Sequence, residues 1–261
     1  MASTSSYLFV GLLQGLLEWL PISSQGNLVV LMVSLLGMEP SRALELSVFL
    51  HVGTGLAAIV YFRSDLRSLM VRDTEEDRGL TRFLLISTAV TGVVGLPFFL
   101  LIKEVGSYGG VLMTLTGVAL VATGLIQRGS SLMSAGSTEA LGDRDSIIMG
   151  VVQGLAAVPG LSRSGLTTSA LLLKRHTGEE AFRISFLMSI PAVFAAAFGL
   201  IVLDGIPEFS FDILVSLLAS FVSALVSIDV LMKVARRVKF WWVCMVLGVL
   251  TLVPFALSLY V

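Results

Sequence analysis

The sequence predicts an all-α, polytopic membrane protein with an inverted-topology repeat: six transmembrane helices plus two re-entrant helical hairpins. Three observations carry this. The 261 residues are 56% hydrophobic and 13% charged, with mean hydropathy +0.94, whereas a soluble domain is about 25% charged. A segment near residue 11 recurs near residue 150. Lysines and arginines collect on one side once the crossings are counted. The two histidines and single cysteine, Cys244, exclude a disulfide framework and a His/Cys zinc cluster. Met1–Tyr7 has no positive charge and does not start like a cleavable signal peptide.

At an offset of 139, Gly11/Gly150, Gln14/Gln153, Gly15/Gly154, Leu16/Leu155, Ser23/Ser162 and Gly26/Gly165 are identical. That is six of 17 positions, where about one is expected. At offset 138 the likeness continues with Ala43/Ala181 and Ser47/Ser185. The chain is therefore one membrane domain of two repeats, 1–138 and 139–261.

Each half opens with apolar segments too short to cross a bilayer, which takes about 20 residues. They are Tyr7–Leu20 and Leu28–Leu36, broken at Pro21 and Ser23–Asn27, then Ile147–Val158 and Leu166–Leu173, broken at Pro159-Gly160 and Ser162–Gly165. Proline ends a helix just before itself, so each pair reads as a re-entrant hairpin. Three spans follow in each half: Leu44–Phe62, Phe83–Ile102 and Val111–Gln127, then Phe182–Leu203, Ile213–Met232 and Phe240–Tyr260. The polar stretches Arg63–Arg82 and Arg128–Asp145 read as loops. Three crossings are an odd number, so the second half is inverted relative to the first.

Charge agrees. One side holds Arg63, Arg67, Arg72, Arg78, Arg82, Arg128, Arg144, Lys174, Arg175, Arg183, Lys233, Arg236, Arg237 and Lys239; the other holds Arg42 and Lys103. The rich side is cytoplasmic. Both termini then face outward, the first hairpin enters from outside and the second from the cytoplasm. The expected location is the plasma membrane, with the site opening outward.

The hairpin tips meet near the midplane, and each outgoing half-helix presents free N–H groups and its positive dipole end. Arg163 adds a permanent, forked cation; Ser23, Ser24, Ser162 and Ser164 add donors. The expected ligand is a phosphate or diphosphate on a lipid tail. Glu18, one turn after Gln14, is a carboxylate inside an apolar segment and so a candidate functional group. The plainer reading makes Glu18 and Arg163 a structural ion pair between the hairpins.

The run from Gln14 through Glu18, Pro21, Ser23, Ser24 and Gly26 to Asn27 resembles the first motif of the bacitracin-resistance family, the undecaprenyl-diphosphate phosphatases. Pro159-Gly160-Leu161-Ser162-Arg163-Ser164-Gly165 resembles its second motif. The resemblance implies an integral membrane phosphatase that hydrolyses a polyprenyl (undecaprenyl-type) diphosphate to monophosphate and inorganic phosphate, recycling the lipid carrier of envelope synthesis. By position it implies Glu18, Ser24 and Arg163 as catalytic residues. Gln14, Ser23, Gly26, Asn27, Ser162, Ser164 and Gly165 would bind substrate. It also implies Mg²⁺ or Ca²⁺, with Glu18 as a ligand. Asn27 stands where the family usually has a histidine, and an amide accepts no proton at neutral pH. Three outcomes stay open: Ser24 attacks with Glu18 activating it, a metal-bound water attacks, or hydrolysis is lost and lipid-phosphate binding kept. The alternative function is a polyprenyl-phosphate transporter or flippase. No nucleic-acid partner is expected, since Arg72–Arg82 is of mixed charge; a homodimer is left open.

Other residues are read as follows. His51 replaces the missing histidine only if it packs on the hairpin tip, and is otherwise a hydrogen-bonded structural residue. Glu45 either faces the site or lies there by chance. Asp229 is structural, His176 solvated, and Cys244 packing or lipid-facing. Trp241 and Trp242 are an interfacial anchor. Gly53-Thr54-Gly55 permits close helix contact.

Overall fold

A computed structural model describes residues 3–71, 74–105, 108–130, 141–205, 210–237 and 239–258. Arg72, the side chain of Arg236, the end of the last span and the 138/139 boundary lie outside the described residues. The described residues are helical, without a strand: α1 Thr4–Leu17, α2 Ser24–Ser34, α3 Pro40–Tyr61, α4 Arg63–Val71, α5 Glu75–Val105, α6 Gly109–Ser130, α7 Asp143–Leu155, α8 Arg163–Leu173, α9 Gly178–Asp204, α10 Phe211–Arg237 and α11 Trp241–Ser258.

Among the described residues, five helices are long and apolar enough to cross a membrane: α3, α5, α6, α9 and α10. The expected sixth span is α11, whose described apolar part, Trp241–Val253, is shorter. The protein is therefore a multi-pass membrane protein. The expected short pairs are present as α1 with α2 and α7 with α8. At 1.5 Å per residue, α1 and α2 reach only about 21 and 16 Å, well under a hydrocarbon core of about 30 Å. Both break where proline predicts: α1 stops before Pro21, and α7 before Pro159.

One expectation fails. The stretch Arg63–Arg82 is helical over most of its length, not a loop. Thr74 caps α5 by accepting from the Asp77 amide at 3.1 Å, and Glu75, Glu76 and Asp77 complement the helix dipole. In α4, Leu66 packs on the core while Asp65 accepts from Arg183 Nε at 2.6 Å. Polar composition hid a short amphipathic helix. In the second stretch, α6 continues to Ser130 and α7 starts at Asp143.

The half-helices are held by the spans. Helix α1 lies along α10 and α7 along α5, each through paired glycines. A Cβ on Gly11 would stand 2.1 Å from Ser216 O, and one on Gly150 2.7 Å from Ser87 O. Gly53 likewise brings α3 against α10, its Cβ position 2.7 Å from Leu217 O. Without a hydrophobic force between helices in lipid, such close approach supplies dispersion contact. Behind the hairpin tips, Trp19, Phe62, Phe182, Phe186 and Ala224 form a buried cluster. The Trp19 indole crosses the Phe186 ring edge-on at 5.0 Å and donates Nε1–H to Ala224 O at 3.0 Å.

Gly11→Leu therefore forces α1 off α10. The expected cost is about 1–3 kcal/mol, read as a lower melting temperature in detergent. Gly110→Ala, where nothing lies within 4 Å, is expected to melt like the native protein. Equal melting of both variants would contradict the contact.

Candidate active site

The two tips touch. Ser23, in the left-handed region at φ 60°, caps α2 and accepts from the Gly26 amide at 3.3 Å. The same hydroxyl accepts from the Gly160 amide of the second tip at 3.1 Å. Ser162 caps α8, accepting from Gly165 N at 3.1 Å. Ser164 donates to Leu20 O across the tips at 3.2 Å. Helix α6 holds both loops. Thr123 Oγ1 accepts from Ser162 N at 3.1 Å and donates to Gly160 O at 3.0 Å, while Gln127 Nε2 donates to Pro21 O. Cys244 also donates to Pro21 O, at 3.4 Å, so this fully buried thiol packs against a tip and faces no lipid.

Glu18 is the centre of the site. It caps the C-terminus of α1 and is 6% exposed. Its Oε1 pairs with Arg163 Nη2 of α8. Its Oε2 accepts from Ser24 Oγ at 2.7 Å and Gln14 Nε2 at 3.1 Å, and lies 3.2 Å from His51 Nε2. Arg163 Nη1 reaches Ser185 O at 3.4 Å, and the guanidinium lies over the Phe186 ring, 5.3 Å from its centroid. Carbonyl and ring thus fix the fork from two more directions.

A cavity of about 450 Å³ opens on this constellation. Glu18, Ser23, Ser24, Ser162, Arg163 and Ser164 lie on its wall. The other predicted residues do not. Gln14 is fully buried behind Glu18; Gly26 and Gly165 serve tip packing against Gly160 and Gln127. Asn27 turns its amide back on the tip, donating to Ser23 O at 2.9 Å and to Ile22 O. From the polar end the cavity runs between α5 and α9, past Gly92, Gly95 and Phe99 on one side and Ala192, Ala196 and Gly199 on the other. The first turns of α2 and α8 leave backbone N–H groups outside the helical ladder at its polar end.

His51 packs on the first tip, the condition that sequence reasoning set for it to stand in for the missing histidine. It lies on the cavity wall, with Nε2 3.4 Å from Ser24 Oγ and Nδ1 2.6 Å from Ser47 O. Its signal was a lone histidine in an apolar span, which a structural residue gives equally well. Glu45 sits instead among Arg42, Lys103, Asp204 and Glu39, away from the cavity wall. His176 is buried, not solvated: after Arg175 at φ 67°, its amide folds back to Leu171 O at 3.1 Å. Asp229 accepts from Tyr61 at 2.6 Å, a structural bond.

The surroundings of Glu18 do not fit a resident Mg²⁺ or Ca²⁺. Those ions take six or more oxygen ligands, whereas Glu18 is met by an arginine, an amide and a hydroxyl that all donate. Among the described residues no group of three or more His, Cys, Asp or Glu side chains could hold a metal ion.

Residues 7–250 match the family described as bacitracin resistance protein BacA. An undecaprenyl-diphosphatase of Methanococcoides burtonii is 44% identical, over 96% of this chain and 98% of its own. One from Haloarcula marismortui is 40% identical, over 92% and 93%. A third, from Methanothrix thermoacetophila, is 38% identical over 96% of each. With the motifs, the paired tips and these relatives in agreement along the whole chain, the protein belongs to the bacitracin resistance protein BacA family.

Proposed function

We propose that the protein is an integral membrane phosphatase that hydrolyses a polyprenyl diphosphate of the undecaprenyl type to monophosphate and inorganic phosphate. The observation that carries this is the meeting of Arg163, Ser24 and Glu18 at one end of a cavity whose other end is apolar. Three relatives covering nearly the whole chain are named undecaprenyl-diphosphatases. The diphosphate lies against the Arg163 fork, the seryl hydroxyls and the N-termini of α2 and α8. Ser24 Oγ attacks the terminal phosphorus, and polyprenyl monophosphate departs. Such transfer depends mainly on positioning and charge neutralisation. Glu18 holds Ser24 and Arg163 in register from its two oxygens. A divalent cation belongs in this reading to the diphosphate's own oxygens, not to Glu18.

The isoprenoid occupies the slot between α5 and α9, where small residues leave room for methyl-branched units. An apolar slot ending in a cation suits a lipid phosphate and does not suit a soluble nucleotide.

The architecture proposed with this function is an inverted repeat of 1–138 and 139–261 with six crossings and two re-entrant hairpins. Its support is that repeat-identical residues do matching work. Gly11 and Gly150 seat α1 and α7 on α10 and α5; Ser23 and Ser162 cap α2 and α8. The ion pairs also respect the proposed sides. Lys103 pairs with Asp204 at the outer ends of α5 and α9, while Arg82–Asp143, Lys174–Asp145 and Arg183–Asp65 join residues placed in the cytoplasm. The site then opens outward from the plasma membrane, with both termini outside. The same architecture is expected of a polyprenyl-phosphate flippase, which phosphate release distinguishes.

Purified protein is expected to release phosphate from a polyprenyl diphosphate, and Ser24→Ala and Arg163→Ala to lower the rate at least about 100-fold. Native protein that binds the lipid, moves it between leaflets and releases nothing would make the flippase the correct reading. Ala196→Phe narrows the slot; the expected result is a several-fold higher KM for a long-chain diphosphate with little change for a two-isoprene one. Equal KM changes for both would remove the tail from the slot. In a Cys244→Ala background, Ser5→Cys is expected to react with an impermeant thiol reagent on intact cells, and Arg67→Cys only after permeabilisation. The reverse pattern would invert the topology.

A further inference from the structure

We infer that His51 is the general base and acid of the reaction, an assignment that rests on the phosphatase reading above. The chain's own nucleophile lacks a suitable partner without it. Ser24 Oγ lies 2.7 Å from Glu18 Oε2, but that carboxylate also carries Arg163, whose permanent charge makes it a poor proton acceptor. Asn27 accepts no proton and its amide is spent on Ser23 O and Ile22 O.

His51 has the geometry that both lack. With its proton on Nδ1, donated to Ser47 O at 2.6 Å, the neutral ring presents Nε2 as its basic nitrogen. That nitrogen is 3.4 Å from Ser24 Oγ on the cavity wall, within the looser range seen before substrate tightens a catalytic contact. Glu18 Oε2 is 3.2 Å from the same Nε2, so a proton arriving there meets a carboxylate that stabilises the imidazolium. The three groups make a serine, a base and an orienting acceptor, with the acid beside the nitrogen that receives the proton.

The proton path closes. In the first half, the Ser24 Oγ–phosphorus bond forms as the bond from phosphorus to the bridging oxygen breaks. The seryl proton goes to Nε2 and then to the departing monophosphate. In the second half, water attacks the phosphoserine and gives one proton to Nε2. Ser24 Oγ leaves with that proton, and inorganic phosphate keeps the other.

Few other charges act on His51. Glu18 faces it from α1, and Arg163 of α8 stands behind Glu18. Among the described residues, α2 brings Ser24, α9 brings Ser189 and Val193 to the same cavity, and α10 brings the Ser220 hydroxyl to Leu50 O at 3.0 Å. The base must be neutral to accept the seryl proton, so the pH profile of kcat/KM is one readout of its role.

The test is phosphate release from a polyprenyl diphosphate by purified full-length protein across pH 5–9 (roughly the range in which histidines titrate), native and His51→Gln. His51→Gln keeps a side chain that can donate to Ser47 O. The expected result is a loss in kcat of at least about 100-fold with KM within a few-fold, and a pH profile that differs from the native one. His51→Ala, which opens space at Nε2, is expected to regain activity in proportion to added imidazole. His51→Gln activity within about fivefold of native, with an unchanged pH profile, overturns the role and leaves the phosphatase standing. Folded His51→Ala that imidazole does not revive also counts against it. Native protein that binds lipid and releases no phosphate overturns the phosphatase reading, and the histidine's role with it.

Discussion

The ion pair between Glu18 and Arg163 is the constraint on which the rest of the site depends. It joins two half-helices from opposite ends of the chain, 145 residues apart. Neither charge could stand alone where it is. Removing one partner of a buried pair typically costs about 3–5 kcal/mol, because the other is left uncompensated. Replacing both by apolar groups is often neutral, so stability alone does not account for the pair. What the pair does is aim. Glu18 carries Ser24 on its second oxygen, and Arg163 is held over Phe186 with its fork toward the cavity. One interaction therefore fixes Ser24 and Arg163 relative to each other.

Holding such polar tips inside an apolar bundle imposes a second constraint. Loop backbone buried in such a bundle must find partners within the protein. Thr123 and Gln127 of α6 and Cys244 of α11 supply them to Gly160, Ser162 and Pro21. The caps Ser23 and Ser162 satisfy the first amides of the outgoing helices, and Ser23 serves both tips at once. A hydroxyl-rich, glycine-rich tip thus has a structural role of its own, whatever chemistry it serves. In the proposed phosphatase, the donors to the phosphate come from the same residues that let the backbone turn there.

This double duty decides how much was legible in the sequence. Gly11/Gly150, Ser23/Ser162 and the prolines at 21 and 159 gave both hairpins and their close packing, because each demand is local: a short apolar run, a break, a cap. Arg63–Arg82 misled because an amphipathic helix on the bundle's end needs few apolar residues; Leu66 is partly buried against the core, yet no residue of α4 is fully buried. The division of labour among Gln14, Gly26, Asn27 and Gly165 was not legible either. Spacing places all four near the tip, but only packing shows that they face each other and the backbone, not the cavity.

His51 shows the limit most clearly. It lies 27 residues from Ser24 and 33 from Glu18 in sequence, on a different helix, and no spacing rule joins them. What brings it in is the register of α3 on the first hairpin, set by Gly53 against α10 and by α2 packing on α3. Asn27 fits the same logic. Its amide donates to two backbone carbonyls of the tip, Ile22 O and Ser23 O, which a neutral imidazole, with one N–H, could not do. A position that clips the turn is poorly placed to move protons, and a histidine on a rigid span is well placed to do so. Proton transfer needs a nitrogen at a fixed point in space, and the chain can supply that point from any helix that reaches it.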